Sequence, residues 1–422
     1  MKKDFTFEAL ARQPVGSLLY QEHIKRAASC PMAEFAGYIM PLWFSSISQE
    51  HKAVREAAGL FDCTHMGVLG VSGPDARPFL EAVVTNRVSD MEPGQARYSF
   101  ILDACGSVLD DVIIYCRGPE EFVIVVNAAN EGKLEAYLAG LLQDMWVIDP
   151  AEPELGLGLR PKIKDLRDPT IGPEGMVDIA LQGPRSLEIL EKLVDCNSLF
   201  LAQLRPFRFI DCSIQKIPCM VARTGYTGAK MGFELFVQPA SASALWNLLL
   251  ERCTAIGLVP CGLGARDSLR IEAGLPLYGH ELAGPFRVNP FEAGYGWAVR
   301  LDKPFFIGKA AMSAAATKAD MQVARLRVPG GKGIRPVRFN DAVLDSSGHC
   351  IGWISSCASV GQDQIGLAYV RSAQCRVGAA IGVYYLARGQ AQGRQGRLQT
   401  VEIGQQLQPD LEGMILPRFA KF

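Results

Sequence analysis

Residues 107–127 read SVLDDVIIYCRGPEEFVIVVN, and this stretch decides which class of fold the sequence favours. It contains two apolar runs, 107–115 and 122–127, separated by a polar segment that carries Gly and Pro. Short apolar runs bounded by such residues are typical of β-strands. The residues that follow, 130–142, have the spacing of a helix. Short strands mixed with helices favour an α+β layer over a doubly wound parallel sheet.

The same alternation of short strands and helices extends to both sides of this stretch. Strands are predicted at 67–72, 98–102, 176–181, 208–222 and 233–237, and helices at 48–59, 74–83, 184–193, 242–256 and 265–273. Ser48 is expected to cap the first of these helices and Gly59 to end it. After about residue 305 the pattern turns to closely spaced strands, at 322–328, 350–355, 364–370 and 379–386. These strands predict a small terminal barrel or sandwich. The Pro- and Gly-rich segment 151–175 and the polar segment 387–397 are expected at the surface.

The composition limits the functions that are possible. A chain of 422 residues exceeds what one hydrophobic core supports, so two or three domains are expected. A formal net charge of −1 without a basic stripe argues against a nucleic-acid partner. Because no apolar run approaches about 18 residues and the N-terminus does not resemble a signal peptide, we expect no membrane partner and a cytoplasmic location. The 12 cysteines form no C-x-x-C pair, which argues against a metal site.

Two adjacent acids, Asp110 and Asp111, interrupt the first apolar run. Burying a carboxylate is unfavourable unless it is paired or hydrogen-bonded. Because side chains alternate along a strand, Asp111 and Tyr115 share one face and Asp110 lies on the other. One acid is therefore expected to point into a cleft while the other reaches solvent or a cap. The alternative is that both acids cap the start of a strand at the surface.

Two further charged residues stand out in apolar surroundings. Glu234 lies in an apolar strand after the glycine-rich turn 223–232. A carboxylate can accept two parallel N–H bonds, as the edge of a pterin or a guanidinium group presents them, although a structural salt bridge is the alternative. Arg266, near the start of the helix 265–273, suits a planar or carboxylate ligand. It could instead pair with Asp267 and hold two elements together.

Taken together, these stretches resemble the aminomethyltransferase (T-protein) family of the glycine cleavage system. The most specific of them is GLGARDSLRIEAGLPLYGHEL at 262–282. Motifs in the family's order include EFAGYIMPLWF (34–44), GSVLDDVIIY (106–115), RTGYTG (223–228) and EAGYGWAVRLDK (292–303). The resemblance covers nearly the whole chain to about residue 310, with a looser β domain after it.

This resemblance implies a three-domain cloverleaf around a central channel that holds folate. Residues 1–64 and 172–300 would form a first, discontinuous folate-binding α+β domain. Residues 65–171 would form a second ferredoxin-like α+β domain, and residues 301–422 a C-terminal β-barrel or sandwich.

The resemblance also implies roles for individual residues. It puts Asp111, in preference to Asp110, near the reactive end of the folate, and Glu234 and Arg266 in the pterin pocket. Further positions that match the channel lining are Met66, Tyr98, Tyr115, Asn127, Tyr226 and Trp297.

The family's reaction defines the expected cofactor and partner. A lipoyl arm on the H-protein carries an aminomethyl group, ammonia leaves, and the methylene passes to tetrahydrofolate, which gives 5,10-methylenetetrahydrofolate. Asp111 would stabilise a cationic carbon centre and orient the folate amine. No metal is required.

Departures from the family pattern keep other donors open. The turn GYTGAKMGFE at 225–234 is one residue longer than the family's GYTGEDGFE and lacks both of its acids. Such changes are compatible with a tetrahydrofolate-dependent demethylase that acts on S-, O- or N-methylated compounds. A non-enzymatic folate-binding protein of this fold is a third class, but its K-G-C-Y-x-G-Q-E signature is absent from the sequence.

Overall fold

The computed structural model describes residues 2–9, 13–26, 30–195, 197, 199–318, 320–389 and 396–422. The chain divides into two compact units. The first comprises Met1–Arg266 with Ala298–Ser313, and the second comprises Asp267–Trp297 with Ala314–Phe422. None of the helices in the described ranges is long and apolar enough to cross a bilayer.

The first unit contains both helices and strands. Its strands are β1 Val15–Gly16, β2 Met32–Phe35, β3 Tyr38–Pro41, β4 Ala58–Asp62, β5 Gly67–Ser72, β6 Gln95–Leu102, β7 Val108–Gly118, β8 Glu121–Val126, β9 Lys162–Asp165, β10 Val177–Gln182, β11 Phe209–Ile214, β12 Ile217–Ala222, β13 Gly232–Val237 and β14 Leu258–Cys261. Among the described residues the α-helices, in order, are α1 Tyr20–Arg26, α2 Ile47–Glu56, α3 Ala76–Val83, α4 Glu131–Leu142, α5 Ser186–Glu191, α6 Leu199–Gln203, α7 Pro239–Cys253, α8 Leu263–Ala273 and α9 Lys309–Ala315.

Two sheets organise this unit. Within the described residues one sheet has the strand order β6-β7-β8-β5-β9, and each pair of adjacent strands in it is antiparallel. A second sheet has the order β11-β12-β13-β10-β4-β14, in which only β14 and β4 pair in parallel. A small sheet, β1-β3-β2, lies near the N-terminus. The predicted mixture of short strands and helices is confirmed.

Each large sheet buries one face under helices and the other against its neighbour. Helices α3 and α4 supply Phe79 and Tyr137 to the core of the first sheet. Helices α5 and α7 supply Ile189 and Trp246 to the core of the second sheet. A third apolar cluster joins Tyr115 and other residues of the first sheet to the second sheet. This layer between the sheets supports the polar side chains described below.

The second unit is built around a closed barrel. Its strands are β15 Met321–Pro329, β16 Ala342–Leu344, β17 Cys350–Val360, β18 Asp363–Arg371, β19 Ala380–Tyr384 and β20 Leu411–Leu416. In the described part of the chain they close in the order β15-β18-β17-β16-β19-β20. Alternate side chains, among them Leu326, Ile354 and Val383, fill the interior. The structure therefore gives a barrel where the sequence left barrel and sandwich open.

The beginning of the 48–59 helix differs from the prediction. Helix α2 is capped by Ser46, whose hydroxyl accepts a bond from the backbone N–H of Gln49 at 3.2 Å, so the prediction of a Ser48 cap was wrong. Gly59 was expected to end this helix but lies inside β4. A Cβ at Gly59 would stand 2.5 Å from Val54 Cγ2 and 2.6 Å from Cys261 Sγ. Close packing of α2 and β14 on β4 explains the glycine.

The two segments predicted at the surface and the predicted domain division can also be compared with the structure. The segment 151–175 is largely exposed, as expected, but it also contributes strand β9, which pairs with β5. Part of the polar segment 387–397, residues 390–395, lies outside the described residues. The six-stranded sheet uses strands from both parts of the predicted discontinuous domain, and the five-stranded sheet uses strands from 65–171. The three-domain division itself stays a prediction.

Candidate active site

Asp110 on β7 is a buried anchor. Its side chain is fully buried. Its Oδ1 accepts bonds from Asn127 Nδ2 at 2.8 Å and Asn130 Nδ2 at 2.5 Å, and its Oδ2 accepts from the Asn127 backbone N–H at 2.9 Å. Three N–H donors satisfy a buried carboxylate. Asp110 thereby ties the chain after β8 to β7 and does not cap a strand at the surface.

Asp111, the next residue of β7, belongs to a different and more open environment. It is half-buried, and its Oδ2 accepts a bond from Tyr98 Oη at 2.9 Å. Its Oδ1 accepts from Asn127 Nδ2 at 2.9 Å. Three of the residues predicted for the site, Tyr98, Asp111 and Asn127, therefore lie together. Asn127 contacts both aspartates and fixes their relative position.

Burial governs the proton affinity of this pair of acids. It raises the pKa of both carboxyls above their usual range, and the neighbouring charge of Asp111 raises the pKa of Asp110 further. The bonds from Tyr98 and Asn127 act in the opposite direction on Asp111, because donors favour the charged carboxylate. Asp111 thus has fixed geometry and partial access, which suits a group that faces a reacting centre.

A second cluster centres on Glu234 of β13. Its Oε2 accepts a bond from Tyr115 Oη at 2.9 Å and another from Thr224 Oγ1. Tyr115 is fully buried on β7, so this bond connects the two large sheets. Asp111 and Tyr115 lie four residues apart on one face of β7, a separation of about 13 Å. Strand β7 therefore connects the two clusters, since it carries both Asp111 and the Tyr115 that binds Glu234.

Arg266 on α8 borders the Glu234 cluster. Its guanidinium carbon lies 5.1 Å from the ring centroid of Tyr226, a cation–π contact. Its Nη1 donates to Cys63 Sγ at 3.3 Å. The alternative pairing of Arg266 with Asp267 does not occur, because Asp267 accepts instead from Arg270 Nε at 2.8 Å.

The remaining predicted residues are divided between the units. Met66 packs, half-buried, against the layer between the two large sheets. Trp297 belongs to the second unit, where its side chain is 55% exposed and its ring lies 5.7 Å from that of Tyr295. All the other predicted site residues lie in the first unit.

Sequence reasoning missed two residues beside the Glu234 cluster, Asp178 and Cys63. Asp178 on β10 is 2% exposed, and Cys63 is 1% exposed. Asp178 shows the signal that selected Asp111 and Glu234, an acid inside the apolar stretch MVDIALQ. Cys63 offers no comparable signal, because a thiol is ordinary in a core.

No group of three or more His, Cys, Asp or Glu suited to a metal ion occurs in the described ranges. His65 is fully buried between the rings of Phe35 and Tyr38. Burial lowers its pKa to about 3. A neutral imidazole in that position is not a general base near neutral pH.

Comparison with known proteins gives the family. The model of the GCVT N-terminal domain matches residues 19–303. The chain belongs to the glycine cleavage T-protein family. The match includes every residue predicted for the site, and the barrel lies beyond it.

Members of the T-protein family resemble this chain over most of its length. The aminomethyltransferase of Desulforamulus reducens is 34% identical over 369 residues, which are 86% of this chain and 92% of that protein. The aminomethyltransferase of Streptomyces avermitilis is 38% identical over 366 residues, 85% of this chain and 91% of that protein. The crystal structure of glycine cleavage system aminomethyltransferase T from Bartonella henselae superposes on this chain with a TM-score of 0.73 and a sequence identity of 26%. The superposition covers 95% of this chain and 96% of the Bartonella henselae chain.

Proposed function

We propose that this chain is an aminomethyltransferase that uses tetrahydrofolate as the acceptor. The donor would be an aminomethyl group on the lipoyl arm of H-protein, and ammonia would be released. Relatives that carry this name align with the chain over nearly their whole length, which supports the proposal. The three-domain cloverleaf with a folate channel and the cytoplasmic location belong to the same proposal.

The observation that carries the proposal is a pair of carboxylate clusters connected through β7. Glu234 lies at one end with its Oε2 held by Tyr115 and Thr224. Asp111 lies at the other end, about 13 Å along β7 from Tyr115. A reduced pterin presents N–H donors along one edge and its reactive amine at the far side of the ring. A carboxylate for the N–H edge and a separate carboxylate for the reactive end fit such a ligand.

Asp111 would act through its charge and position. When bound, tetrahydrofolate supplies the nucleophilic amine that receives the one-carbon unit. The carboxylate of Asp111 favours positive charge that develops on the transferred carbon, and its oxygens can orient the N–H of that amine. Tyr98 and Asn127 hold the carboxylate before the donor arrives, so little reorganisation is needed during the reaction. Asp110 keeps Asn127 in place.

A turnover assay tests the proposed function. Purified protein is mixed with tetrahydrofolate and aminomethylated lipoyl H-protein, and ammonia release is followed with and without the folate. We expect release that depends on both components. If tetrahydrofolate binds but ammonia is not released, and a methylated sulfur, oxygen or nitrogen compound is consumed instead, the chain is a demethylase and the proposal is wrong.

A further inference from the structure

Asp178 shares a face of the six-stranded sheet with Glu234. On the paired strands β10 and β13, Ala180 lies opposite Glu234 and Asp178 lies opposite Phe236. Asp178 and Glu234 are therefore diagonal neighbours on the two paired strands, with their Cα atoms about 7 Å apart. The alternate residues of β10, including Ile179, point into the apolar core on the other side. Asp178 thus belongs to the wall that carries the Glu234 carboxylate.

The hydrogen bonds of Asp178 are incomplete. The thiol of Cys63 donates to its carboxyl group, and Cys63 in turn accepts from Arg266 Nη1 at 3.3 Å. The other oxygen, Oδ1, is buried without a hydrogen-bond partner. Buried polar atoms in folded proteins are nearly always satisfied, so an exception in a site calls for a ligand or a solvent molecule as donor.

Electrostatics makes this position unfavourable without a ligand. Burial raises the pKa of Asp178 well above its usual range and the charge of Glu234 adds to the effect, whereas the charge of Arg266 offsets only part of it. An apolar side chain of similar size would avoid both penalties. The acid is therefore better explained by what it binds than by what it contributes to folding.

We propose that Asp178 is a specificity-determining residue, whose Oδ1 accepts an N–H of the pterin ring beside those bound by Glu234. This inference rests on the proposed function. The 2-amino group of a pterin carries two hydrogens, and only one of them is parallel to the N3–H. Glu234 accepts bonds from the N3–H and from the amino hydrogen parallel to it. The second amino hydrogen points away from Glu234 and is donated to Asp178. The two acids together read the 2-amino group.

Two variants test this assignment through binding. Asp178→Leu removes the acceptor, whereas Asp178→Asn keeps an acceptor oxygen. Dissociation constants are measured by calorimetry for tetrahydrofolate and for its 2-desamino-2-methyl analogue, which lacks the amino hydrogens. We expect Asp178→Leu to weaken tetrahydrofolate binding by about tenfold, the scale of one buried hydrogen bond, and Asp178→Asn by less. Binding of the analogue should change by less than about twofold, because it never made this bond.

Thermal unfolding without ligand separates recognition from a structural role. Because the unpartnered acid is unfavourable in the free protein, Asp178→Leu should leave the unfolding temperature unchanged or raise it while affinity falls. The matched control is Asp211→Leu, an exposed acid on β11 that pairs with Arg117 at 3.2 Å and should leave both affinities unchanged.

The outcomes distinguish this inference from the function on which it rests. If the wild-type protein binds and turns over tetrahydrofolate but Asp178→Leu weakens neither ligand or both equally, the inference alone is wrong. A lower unfolding temperature with equal loss for both ligands would make Asp178 structural. A wild-type protein that does not bind tetrahydrofolate overturns the proposed function and this inference together.

Discussion

At the residue scale, the adjacent acids Asp110 and Asp111 have different tasks because they point to opposite faces of β7. Asp110 receives three N–H bonds and is closed off, whereas Asp111 is half-buried and held by Tyr98 and Asn127. The same side chain in consecutive positions thus anchors a loop in one case and faces the site in the other. Separate substitutions should reveal this division.

We expect Asp111→Asn to lower turnover by at least ~10²-fold, the lower scale for a positioned charge or proton-transfer group. Tetrahydrofolate affinity should stay within a few-fold, because the pterin edge is bound elsewhere. Asp110→Asn provides the contrast: it should mainly lower the free energy of unfolding, since an amide cannot accept all three bonds. Steady-state kinetics and urea unfolding of both variants check this. Near-normal turnover of Asp111→Asn would contradict its assigned role.

Glu234 should determine folate affinity. Glu234→Ala is expected to weaken tetrahydrofolate binding by about 1.5–3 kcal/mol, the scale of a hydrogen bond to a charged group. Calorimetry measures the effect, and Glu121→Ala, an exposed acid on β8, serves as the control. An unchanged dissociation constant for Glu234→Ala would remove Glu234 from the binding pocket.

A buried ion pair gives a pH-dependent contribution to stability. Asp62 is 6% exposed, and its Oδ2 lies 2.7 Å from His23 Nε2 and accepts from Ser17 Oγ at 2.6 Å. Burial alone would raise the pKa of Asp62, but the bond to His23 and the charge of His23 lower it to about 2.

Because this folded-state pKa lies below the unfolded value of 3.8, the stabilisation is present above about pH 4 and is lost as pH falls to about 2. Asp62→Asn should reduce the free energy of unfolding by about 2 kcal/mol above that range, and the difference from wild type should shrink below it. Urea unfolding at several pH values measures this. A difference that does not change between pH 4 and pH 2 would show that the charge of Asp62 contributes nothing.

At the element scale, the start of α2 shows how distant contacts select one local structure among several. Glu50 of α2 is fully buried, and its carboxylate accepts from the backbone N–H groups of Phe44, Ser45 and Gly262. These bonds fix the turn before the helix, so Ser46 becomes the cap instead of Ser48. Gly262 is 212 residues away along the chain, and no local pattern could reveal it.

The packing of α2, β4 and β14 depends on the missing side chain of Gly59. Gly59→Ala would place a methyl group 2.5 Å from Val54 Cγ2 and 2.6 Å from Cys261 Sγ. Overpacking of this kind costs about 1–3 kcal/mol, so the free energy of unfolding should fall by that amount. Gly118→Ala is the control, since its nearest new contact is 3.8 Å away. Equal stability of the two variants would show that the core adjusts at Gly59.

At the scale of the whole molecule, the sequence predicted the strands and helices well where apolar spacing decides them. Strand β5 has the predicted bounds, and the terminal β pattern became a barrel. Two kinds of feature could not be predicted. The choice of barrel over sandwich depends on pairing between β15 and β20, which lie far apart along the chain. The bonds that distinguish Asp110 from Asp111 depend on Asn127 and Asn130 of a neighbouring segment.

Some residues of the site could be predicted from the sequence and others could not, for a physical reason. Charged residues inside apolar strands are conspicuous, so Asp111 and Glu234 could be found from the residues and given roles by the family resemblance. Asp178 has the same signature, but its importance follows from the register between β10 and β13, which brings it next to Glu234. Cys63 could be assigned to the site only from the structure, which places its thiol between Arg266 and Asp178.

The reaction proposed for this chain transfers the carbon of an aminomethyl group to tetrahydrofolate. The most direct test uses H-protein whose lipoyl-bound aminomethyl carbon is labelled with carbon-13, and follows the label by NMR after mixing with the protein and tetrahydrofolate. We expect the label to move to the folate as a methylene bridge, and Asp111→Asn to slow this transfer strongly. If the label stays on the H-protein while tetrahydrofolate is bound to the wild-type protein, the chain does not catalyse this transfer.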